Sequence, residues 1–179
     1  MPSIRNVKVS AKVSNLCLNT VNLKLASSGI SLKHFSNYIT FQHTYTYIVF
    51  KNSKDLTNHV NITKLKSESE IEKALYLLTN LIGCHVINWK IDNIIATSSL
   101  QKKLDLTQIA IQKIFPRVKY NSEQFPGLFA KFDCGTVILF HSGKIVIVGC
   151  KNQSEIWMLS EIVNTKLKQL TIEKDTLSV

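Results

Sequence analysis

The chain has 179 residues, 45% of them hydrophobic, with a formal net charge of +10 and an isoelectric point near 9.5. This length allows one domain or two small similar ones. The charge favours an anionic partner, nucleic acid or a membrane surface, although a protein that is basic without binding an anion fits the charge equally well. The net charge is concentrated early, because residues 1–67 contain nine Lys or Arg and a single acid, Asp55.

Several classes of protein are excluded by what the sequence lacks. The most apolar window, 74–87, is too short to cross a bilayer, and the first residues alternate instead of forming an apolar signal core. The five histidines are scattered, and no glycine-rich phosphate loop is present. No enzyme, cofactor or metal site is therefore predicted. Four cysteines without a C-x-x-C pair predict free buried thiols in a reducing compartment, at Cys17, Cys84, Cys134 and Cys150.

In chain order, the first half predicts a strand, a helix, a strand meander and a second helix. These lie at residues 4–13, 16–26, 35–63 and between Ser67 and Gly83. Alternating valines mark the first strand, and β-branched and aromatic residues mark the meander. Ser67 and Glu70 have the spacing of a capping box, which predicts where the second helix begins. A polar turn, 51–58, separates two strands of the meander.

The second half repeats this order. It predicts a strand at 90–100, a helix at 102–114, further strands within 125–151 and a long helix whose apolar stripe is Ile156, Leu159, Val163 and Leu167. Asn152 and Glu155 repeat the capping spacing. Residues from about 168 onward are predicted to fray.

A hairpin within 125–151 has two apolar faces. Val137, Leu139, Ile145 and Ile147 alternate with Ile138, Phe140, Val146 and Val148, and alternation along a strand sends the two sets to opposite sides. An antiparallel strand usually has one wet side. The second apolar face therefore needs a cover.

Spacings indicate an internal repeat. Phe35 and Phe50 are 15 residues apart, as are Phe125 and Phe140, and K-x-x-S-E-I occurs at 66–71 and again at 151–156. A duplicated α+β unit is the prediction. Two such units would join edge to edge into one twisted antiparallel sheet, with helices on one face and the other face open.

The residues of the second half resemble a known family. Residues 120–151 contain Y-N-S-E-Q-F-P-G-L and V-I-L-F-H-S-G-K-I-V-I-V-G-C-K, which resemble the second repeat of the TATA-box-binding protein family. Residues 90–110 are similar to that repeat's first strand and helix. The resemblance implies an α+β pseudo-twofold saddle, one curved antiparallel sheet of two repeats with helices on its convex face. The implied divisions are a diverged first repeat at 1–86, a family-like second repeat at 87–168 and a C-terminal tail at 169–179.

The resemblance also implies a DNA-binding surface on the concave side of the sheet. The family's four wedging phenylalanines correspond to Phe35, Phe50, Phe125 and Phe140. Its central asparagines correspond to Asn93 and, with the register undetermined, Asn6. Its groove-facing positions correspond to Ile95, Thr97, Ile138, Val146 and Val148, with Ile48, Asn61 and Thr63 in the first repeat. Lysines near the ends of the sheet are expected to reach phosphates, at Lys8, Lys12, Lys131 and Lys144.

Departures from the family pattern modify these expectations. Asn61 replaces a usual valine and Val148 replaces a groove-facing threonine, so an A·T-rich preference is expected instead of a strict TATA preference. The family presents two glutamates and a leucine to a B-type general transcription factor. Here Glu123 remains, while Asn121 and Gln124 stand at the other two places. Glu123 and Gln124 are therefore the expected partner-binding residues, with docking that is weaker or tuned to a diverged partner.

Together these features predict a transcription initiation factor and not an enzyme. It would bind A·T-rich promoter DNA in the minor groove, bend it by phenylalanine insertion, and recruit a B-type initiation factor and RNA polymerase. The diverged first repeat suggests a large DNA virus as the source, with activity in the nucleus or a cytoplasmic viral factory. Two alternatives are a protein-interaction module or regulator that has lost TATA-specific bending, and an accessory domain of a nucleic-acid enzyme. The second repeat is expected to contribute more of the DNA recognition.

Overall fold

The computed structural model describes residues 1–51 and 57–176, and of 170–176 it describes the backbone alone. The chain forms two compact units. Arg5–Asn93 is called the N-terminal unit, and Met1–Ile4 with Ile94–Val179 is called the C-terminal unit. The division at residue 86 between two ancestral repeats stays a prediction, because compactness reports packing and not duplication.

The N-terminal unit contains five strands, two helices and the beginning of a sixth strand. They are β1 (Ser3–Ser14), α1 (Leu18–Ser27), β2 (Leu32–His34), β3 (Tyr38–Gln42), β4 (Thr46–Phe50), β5 (Thr57–Leu65), α2 (Ile71–Ile82) and the first part of β6 (His85–Ser99). Neighbouring strands follow the order β2-β3-β4-β5-β1-β6. Residues 52–56, most of the predicted polar turn, lie outside the described residues.

The C-terminal unit has the same succession of elements. It contains the rest of β6, then α3 (Leu106–Ile111), β7 (Val118–Lys119), β8 (Gly127–Lys131), β9 (Thr136–Phe140), β10 (Lys144–Cys150) and α4 (Gln153–Thr176). Neighbouring strands follow the order β6-β10-β9-β8-β7, and the pairs of β10 with β6 and β9 are antiparallel. The predicted repeat of strand, helix, strands and helix is confirmed, and the fold is α+β.

Alternation along the strands separates a buried face from an open face in each unit. In β1, Val7, Val9, Ala11 and Val13 are at most 1% exposed, whereas the lysines and serines between them are half-buried. α2 covers the buried face, because the Tyr47 hydroxyl in β4 donates to the carbonyl of Ala74 at 3.1 Å. In the C-terminal unit, α4 packs against β10 with the predicted stripe, Ile156, Leu159, Val163 and Leu167, buried.

The two predicted capping boxes differ. Asn152 Oδ1 accepts from the Glu155 N–H at 2.9 Å, and the Glu155 carboxylate accepts from the Lys151 N–H, so the predicted cap of α4 is present. The Ser67 hydroxyl makes no such bond and pairs with the Ser69 hydroxyl instead. The Glu70 carboxylate does accept from the Lys66 N–H at 2.8 Å, so the glutamate half of the predicted box is present. The Ser67 half is wrong, because α2 is preceded by a 3-10 turn, Glu68–Glu70, in which the Glu70 N–H donates to the Ser67 carbonyl.

Other boundaries also differ from expectation. The helix predicted at 102–114 is only Leu106–Ile111, because the Asp105 side chain caps it at Gln108 and Lys113 has φ of 48°. α4 continues through Thr176, so the residues expected to fray are helical up to that point, and 177–179 lie outside the described residues. The prediction of four buried thiols is wrong for Cys17, which is exposed before α1, and Cys134 is only half-buried.

Candidate nucleic-acid interface

The open face of the C-terminal unit presents a row of mainly apolar side chains. Thr97 pairs with Val146, Val146 with Ile138, and Ile138 with Phe129, so one row crosses β6, β10, β9 and β8. All four side chains are half-buried. Their neighbours along the strands, Ala96, Val137 and Ile147, point to the other face and are fully buried. The structure therefore places these predicted contact residues on one surface, together with Phe129, which the sequence did not single out.

Val148 and Ile95 extend the same face. Val148 pairs with Thr136, and Ile95 lies between the buried Ile94 and Ala96 in β6. Lysines lie at its margin, because the exposed Lys144 pairs with Ser99 and the exposed Lys131 pairs with Thr136. The surface thus has an apolar floor and cationic ends, as binding to a nucleic-acid groove requires.

Two phenylalanine rings meet above a glycine at one end of this floor. The rings of Phe125 and Phe140 have centroids 5.9 Å apart and planes at 60°, and Phe140 pairs with Gly127 across β8 and β9. A Cβ atom on Gly127 would lie 2.7 Å from a ring carbon of Phe125 and 2.9 Å from the Ile138 Cγ2 methyl. The absent side chain is therefore what allows the two rings to approach each other. Phe125 remains 38% exposed.

The equivalent row in the N-terminal unit is more polar. Ser10 pairs with Asn61, Asn61 with Ile48, and Ile48 with Thr40. Three of the four positions carry a hydroxyl or an amide, whereas the row of the C-terminal unit has a single hydroxyl. Thr63, half-buried in β5, pairs with Thr46 on the same face. The N-terminal unit therefore has an open face that lacks the apolar character of the other.

The two phenylalanines of the N-terminal unit are separated by a tyrosine. Tyr38 pairs with Phe50, as Gly127 pairs with Phe140. The Tyr38 ring stacks on Phe35 at 4.5 Å and lies 6.0 Å from Phe50. Phe35 and Phe50 stay 44% and 36% exposed. We call Phe35, Tyr38 and Phe50 the N-terminal ring cluster.

Two side chains donate hydrogen bonds to backbone carbonyls of this cluster. Lys51 Nζ donates to the Phe35 carbonyl at 2.6 Å, and Asn58 Nδ2 donates to the Phe50 carbonyl at 2.9 Å. The Asn58 side chain belongs to a residue that is only 6% exposed, so this amide is a buried support. Sequence reasoning missed Tyr38 and Asn58. The cross-strand register reveals the difference, because Phe35 precedes the residue paired with Phe50 by three positions, whereas Phe125 precedes the residue paired with Phe140 by two.

The Asn6 side chain is hydrogen-bonded to β5. Its Oδ1 accepts from the Lys64 N–H at 2.7 Å, beside an irregularity between Val7 and Val9 in the β1–β5 pairing. Lys64 has φ of 73°, the left-handed backbone that accompanies such a bulge. Asn93 is half-buried in β6, directly before the buried Ile94. Asn6 is thus held by β5 with its amide orientation fixed.

An acid lies among the predicted contact residues of the N-terminal unit. Asp92 accepts from the Ser10 hydroxyl at 2.9 Å and pairs with Lys8 Nζ at 3.4 Å. The sequence pattern did not single out Asp92, and it predicted phosphate contact for Lys8. In the structure Lys8 instead has a carboxylate partner within the same unit. Lys12, on the same face of β1, pairs with His59.

The predicted partner-binding residues lie in an exposed turn before β8. Asn121 organises the turn, since its side-chain oxygen accepts from the Glu123 N–H at 3.0 Å and its carbonyl accepts from the N–H of Phe125 at 3.0 Å. Glu123 and Gln124 are exposed. A groove of about 420 Å³ adjoins the turn, lined by Gln124, Phe125, Phe129 and three cations, Arg117, Lys119 and Lys131.

The described part of the chain has neither a metal site nor a membrane span. No group of three or more His, Cys, Asp or Glu side chains with metal-binding geometry occurs there. None of the helices described is long and apolar enough to cross a bilayer. Burial raises the pKa of the Cys84 thiol to about 11 and that of the Cys150 thiol to about 12, so both are protonated near neutral pH.

The family model and the relatives that match this chain describe TATA-binding proteins. The family model "Transcription factor TFIID (or TATA-binding protein, TBP)" matches residues 88–170. TATA-box-binding protein F of Halobacterium salinarum is 37% identical over 83 residues, 45% of each chain. The TATA-box-binding protein of Thermoplasma volcanium is 33% identical over 105 residues, 54% of this chain and 57% of the relative. The chain spans about half the length of these curated relatives.

A solved structure extends the similarity beyond the second half. The Methanococcus jannaschii TBP matches with a TM-score of 0.74 and 26% identity, over 94% of this chain and 98% of that one. The family model thus matches the second half, whereas the similarity of fold covers nearly the whole chain. The chain is therefore similar to TATA-binding proteins, in sequence over residues 88–170 and in fold over nearly its whole length.

Proposed function

We propose that the protein is a transcription initiation factor that binds A·T-rich promoter DNA in the minor groove and bends it. The observation that carries this proposal is the apolar row Thr97, Val146, Ile138 and Phe129, left uncovered by any described element and ended by the paired rings of Phe125 and Phe140. Exposed apolar surface of this kind marks a binding site. The similarity to TATA-binding proteins supports DNA as the partner.

The chemistry of the minor groove suits this floor. A·T pairs present only acceptors there, and guanine adds a bulky amino donor, so an apolar floor favours A·T over G·C. Phenyl rings enter a flexible base step and unstack it at the expense of a few kcal/mol, and the bent duplex then contacts more protein. The formal charge of +10 supports this, because phosphate neutralisation releases counterions.

Recruitment is the second part of the proposal. Glu123 and Gln124 lie in the exposed turn that Asn121 organises, so they can contact a B-type initiation factor while DNA is bound. RNA polymerase would follow through that factor. The activity would take place where the DNA is transcribed, in the nucleus or in a cytoplasmic viral factory. No catalytic step is proposed.

The test measures affinity and bending together. Fluorescence anisotropy with an A·T-rich duplex gives the dissociation constant across a salt series, and energy transfer between dyes on the duplex ends gives the bend. We expect affinity to fall steeply as salt rises, because phosphate contacts are exchanged for counterions. Phe125→Ala should abolish much of the bend while changing the free energy of unfolding by less than the roughly 3–5 kcal/mol typical of a buried phenylalanine.

A matched control separates the open face from apolar surface in general. Leu23 on α1 is 73% exposed and lies outside the open face, so Leu23→Ala should leave binding and bending unchanged. Salt-independent affinity, or an unbent duplex with full affinity, would contradict the proposal. That result would favour the alternative, a protein-interaction module, for which the polar row of the N-terminal unit is the supporting observation.

A further inference from the structure

Asp92 places a carboxylate beside residues of the open face. Its Oδ1 accepts from the Ser10 hydroxyl at 2.9 Å, and its Oδ2 lies 3.4 Å from Lys8 Nζ. Lys8 and Ser10 flank Val9, which is fully buried, so both side chains lie on the opposite, open face of β1. The carboxylate therefore reaches the surface to which Asn61 and Ile48 belong.

A carboxylate is unsuited to an A·T floor. It accepts hydrogen bonds and donates none, and the minor-groove edges of A·T pairs also offer only acceptors. The two would repel each other. The guanine amino group is the single donor that the minor groove contains. An acid on a minor-groove surface thus has one complementary base pair.

Lys8 offsets the negative charge of Asp92, which reduces the repulsion between that carboxylate and DNA phosphates. Lys8 is 37% exposed at its side chain and Asp92 25%, so the pair is partly shielded from water and close to neutral in sum. Two oxygens provide about four acceptor directions, so a carboxylate can bind several donors simultaneously. Ser10 orients one oxygen and Lys8 the other, which fixes the plane of the group.

We propose that Asp92 accepts a hydrogen bond from a guanine amino group. The DNA site of this protein then contains one G·C pair, at the position that Asp92 contacts, and A·T pairs over the apolar floor. This inference rests on the proposed DNA-binding function and deepens it. The row of the C-terminal unit has no acid, and its Val146 and Ile138 exclude the amino group by contact. The two units thus select different base pairs.

Inosine supplies the decisive comparison. It pairs with cytosine like guanine but lacks the amino group, so G·C and I·C differ in that donor. A·T-rich duplexes carrying one G·C or one I·C pair at successive positions are titrated by anisotropy. At most positions I·C should bind more tightly. At one position G·C should bind about tenfold more tightly than I·C, as expected for one charge-assisted hydrogen bond.

Variants assign the effect to the carboxylate. Asp92→Leu keeps the size of the side chain and removes both acceptors, so the G·C to I·C ratio at that position should fall to one or below. Asp92→Asn retains a neutral acceptor and should give an intermediate ratio. Lys8→Met removes the cation but keeps the carboxylate, so it lowers overall affinity and preserves the ratio. Circular dichroism confirms folding of each variant.

The outcomes separate this inference from the function on which it rests. If wild-type protein binds the all-A·T duplex but prefers I·C at every position, the assignment of Asp92 is wrong and the proposed function stands. A preference for G·C that survives in both Asp92 variants also overturns the assignment. If no duplex is bound at any salt concentration, the proposed function fails, and the reading of guanine fails with it.

Discussion

The ring of Tyr38 stacks on the ring of Phe35 with centroids 4.5 Å apart and planes at 19°. In the C-terminal unit the position of Tyr38 is taken by Gly127, and Phe125 there contacts Phe140 directly. The two pairs of phenylalanines therefore have the same spacing in sequence but different surroundings. Stacking on Tyr38 restricts the orientation of the Phe35 ring, whereas the Phe125 ring is restricted by tilted contacts with Phe129 and Phe140.

A double-mutant cycle measures this constraint. Phe35→Ala, Tyr38→Ala and the double variant should show a coupling free energy of about 0.5–1.5 kcal/mol in urea unfolding, the range for aromatic pairs beyond their buried area. Tyr38→Phe keeps the stack and should be nearly neutral. Additive effects of the two alanine substitutions would mean that the rings do not support each other.

Gly127→Ala should disturb the paired rings of the C-terminal unit. The new methyl would lie within 3 Å of both Phe125 and Ile138, and overpacking of this kind destabilises by about 1–3 kcal/mol. We expect DNA bending to decrease, because the Phe125 ring must move away from Phe140. Bending by energy transfer and stability by urea unfolding are the measurements.

Gly29 provides the control for that substitution. It has φ of 69°, and a Cβ atom placed on it would have no neighbour within 4 Å, so Gly29→Ala tests backbone strain without crowding. It should destabilise by about 1 kcal/mol and leave bending unchanged. Equal effects of both glycine variants on bending would argue against a role for the space above Gly127.

The two helix starts give a matched pair of stability predictions. Asn152→Ala removes an observed cap and should lower the free energy of unfolding by about 1 kcal/mol. Ser67→Ala removes a hydroxyl that caps nothing and should change it by less than about 0.5 kcal/mol. Thermal and urea unfolding report both values. A larger loss at Ser67 than at Asn152 would contradict the observed hydrogen bonds.

The buried thiols predict how stability depends on pH. Folding raises the pKa of Cys84 to about 11 and that of Cys150 to about 12, from 9.0. Between pH 9 and these values the unfolded chain loses protons that the folded chain keeps, so stability is full below pH 9 and falls as pH rises. Cys150→Ala should flatten this slope in urea unfolding at alkaline pH. An unchanged slope would exclude this thiol as its cause.

Thiol labelling at neutral pH tests the difference in burial between the four cysteines. Cys17 is exposed, and the backbone N–H of Thr20 is the main cause that lowers its pKa. It should react first with a maleimide, followed by the half-buried Cys134, whereas Cys84 and Cys150 should react only on unfolding. Mass spectrometry of labelled peptides gives the order.

The sequence predicted the open faces because alternation in a strand is a local property. Ile138 and Val146 needed only the period of two to be placed opposite Val137 and Ile147. The Tyr38 cluster was not predicted, because an offset of one residue between Phe35 and its strand becomes visible only in the cross-strand register. The position of the Asp92 carboxylate was not predicted, for a related reason. By simple alternation it shares a face with the buried Ile94, and only its bonds to Ser10 and Lys8 reveal where the carboxylate lies.

The Ser67 and Cys17 predictions failed for different reasons. Spacing identifies a candidate cap, but a 3-10 turn satisfies the same N–H group from the backbone. Cysteine is buried on average, yet Cys17 stands at the exposed start of α1, where chain position outweighs residue type. Neither outcome is encoded in the identity of the residue alone.

The presence of Tyr38 in one unit where the other has Gly127 makes the two units distinguishable. A protein with two equal repeats fits an A·T tract equally well in either direction. In the proposed complex, the N-terminal unit would offer the DNA a polar row that contains Asn61, and the C-terminal unit an apolar row that contains Val146. Under the proposed function, the protein itself would then favour one direction on the promoter, and with it the side on which transcription starts.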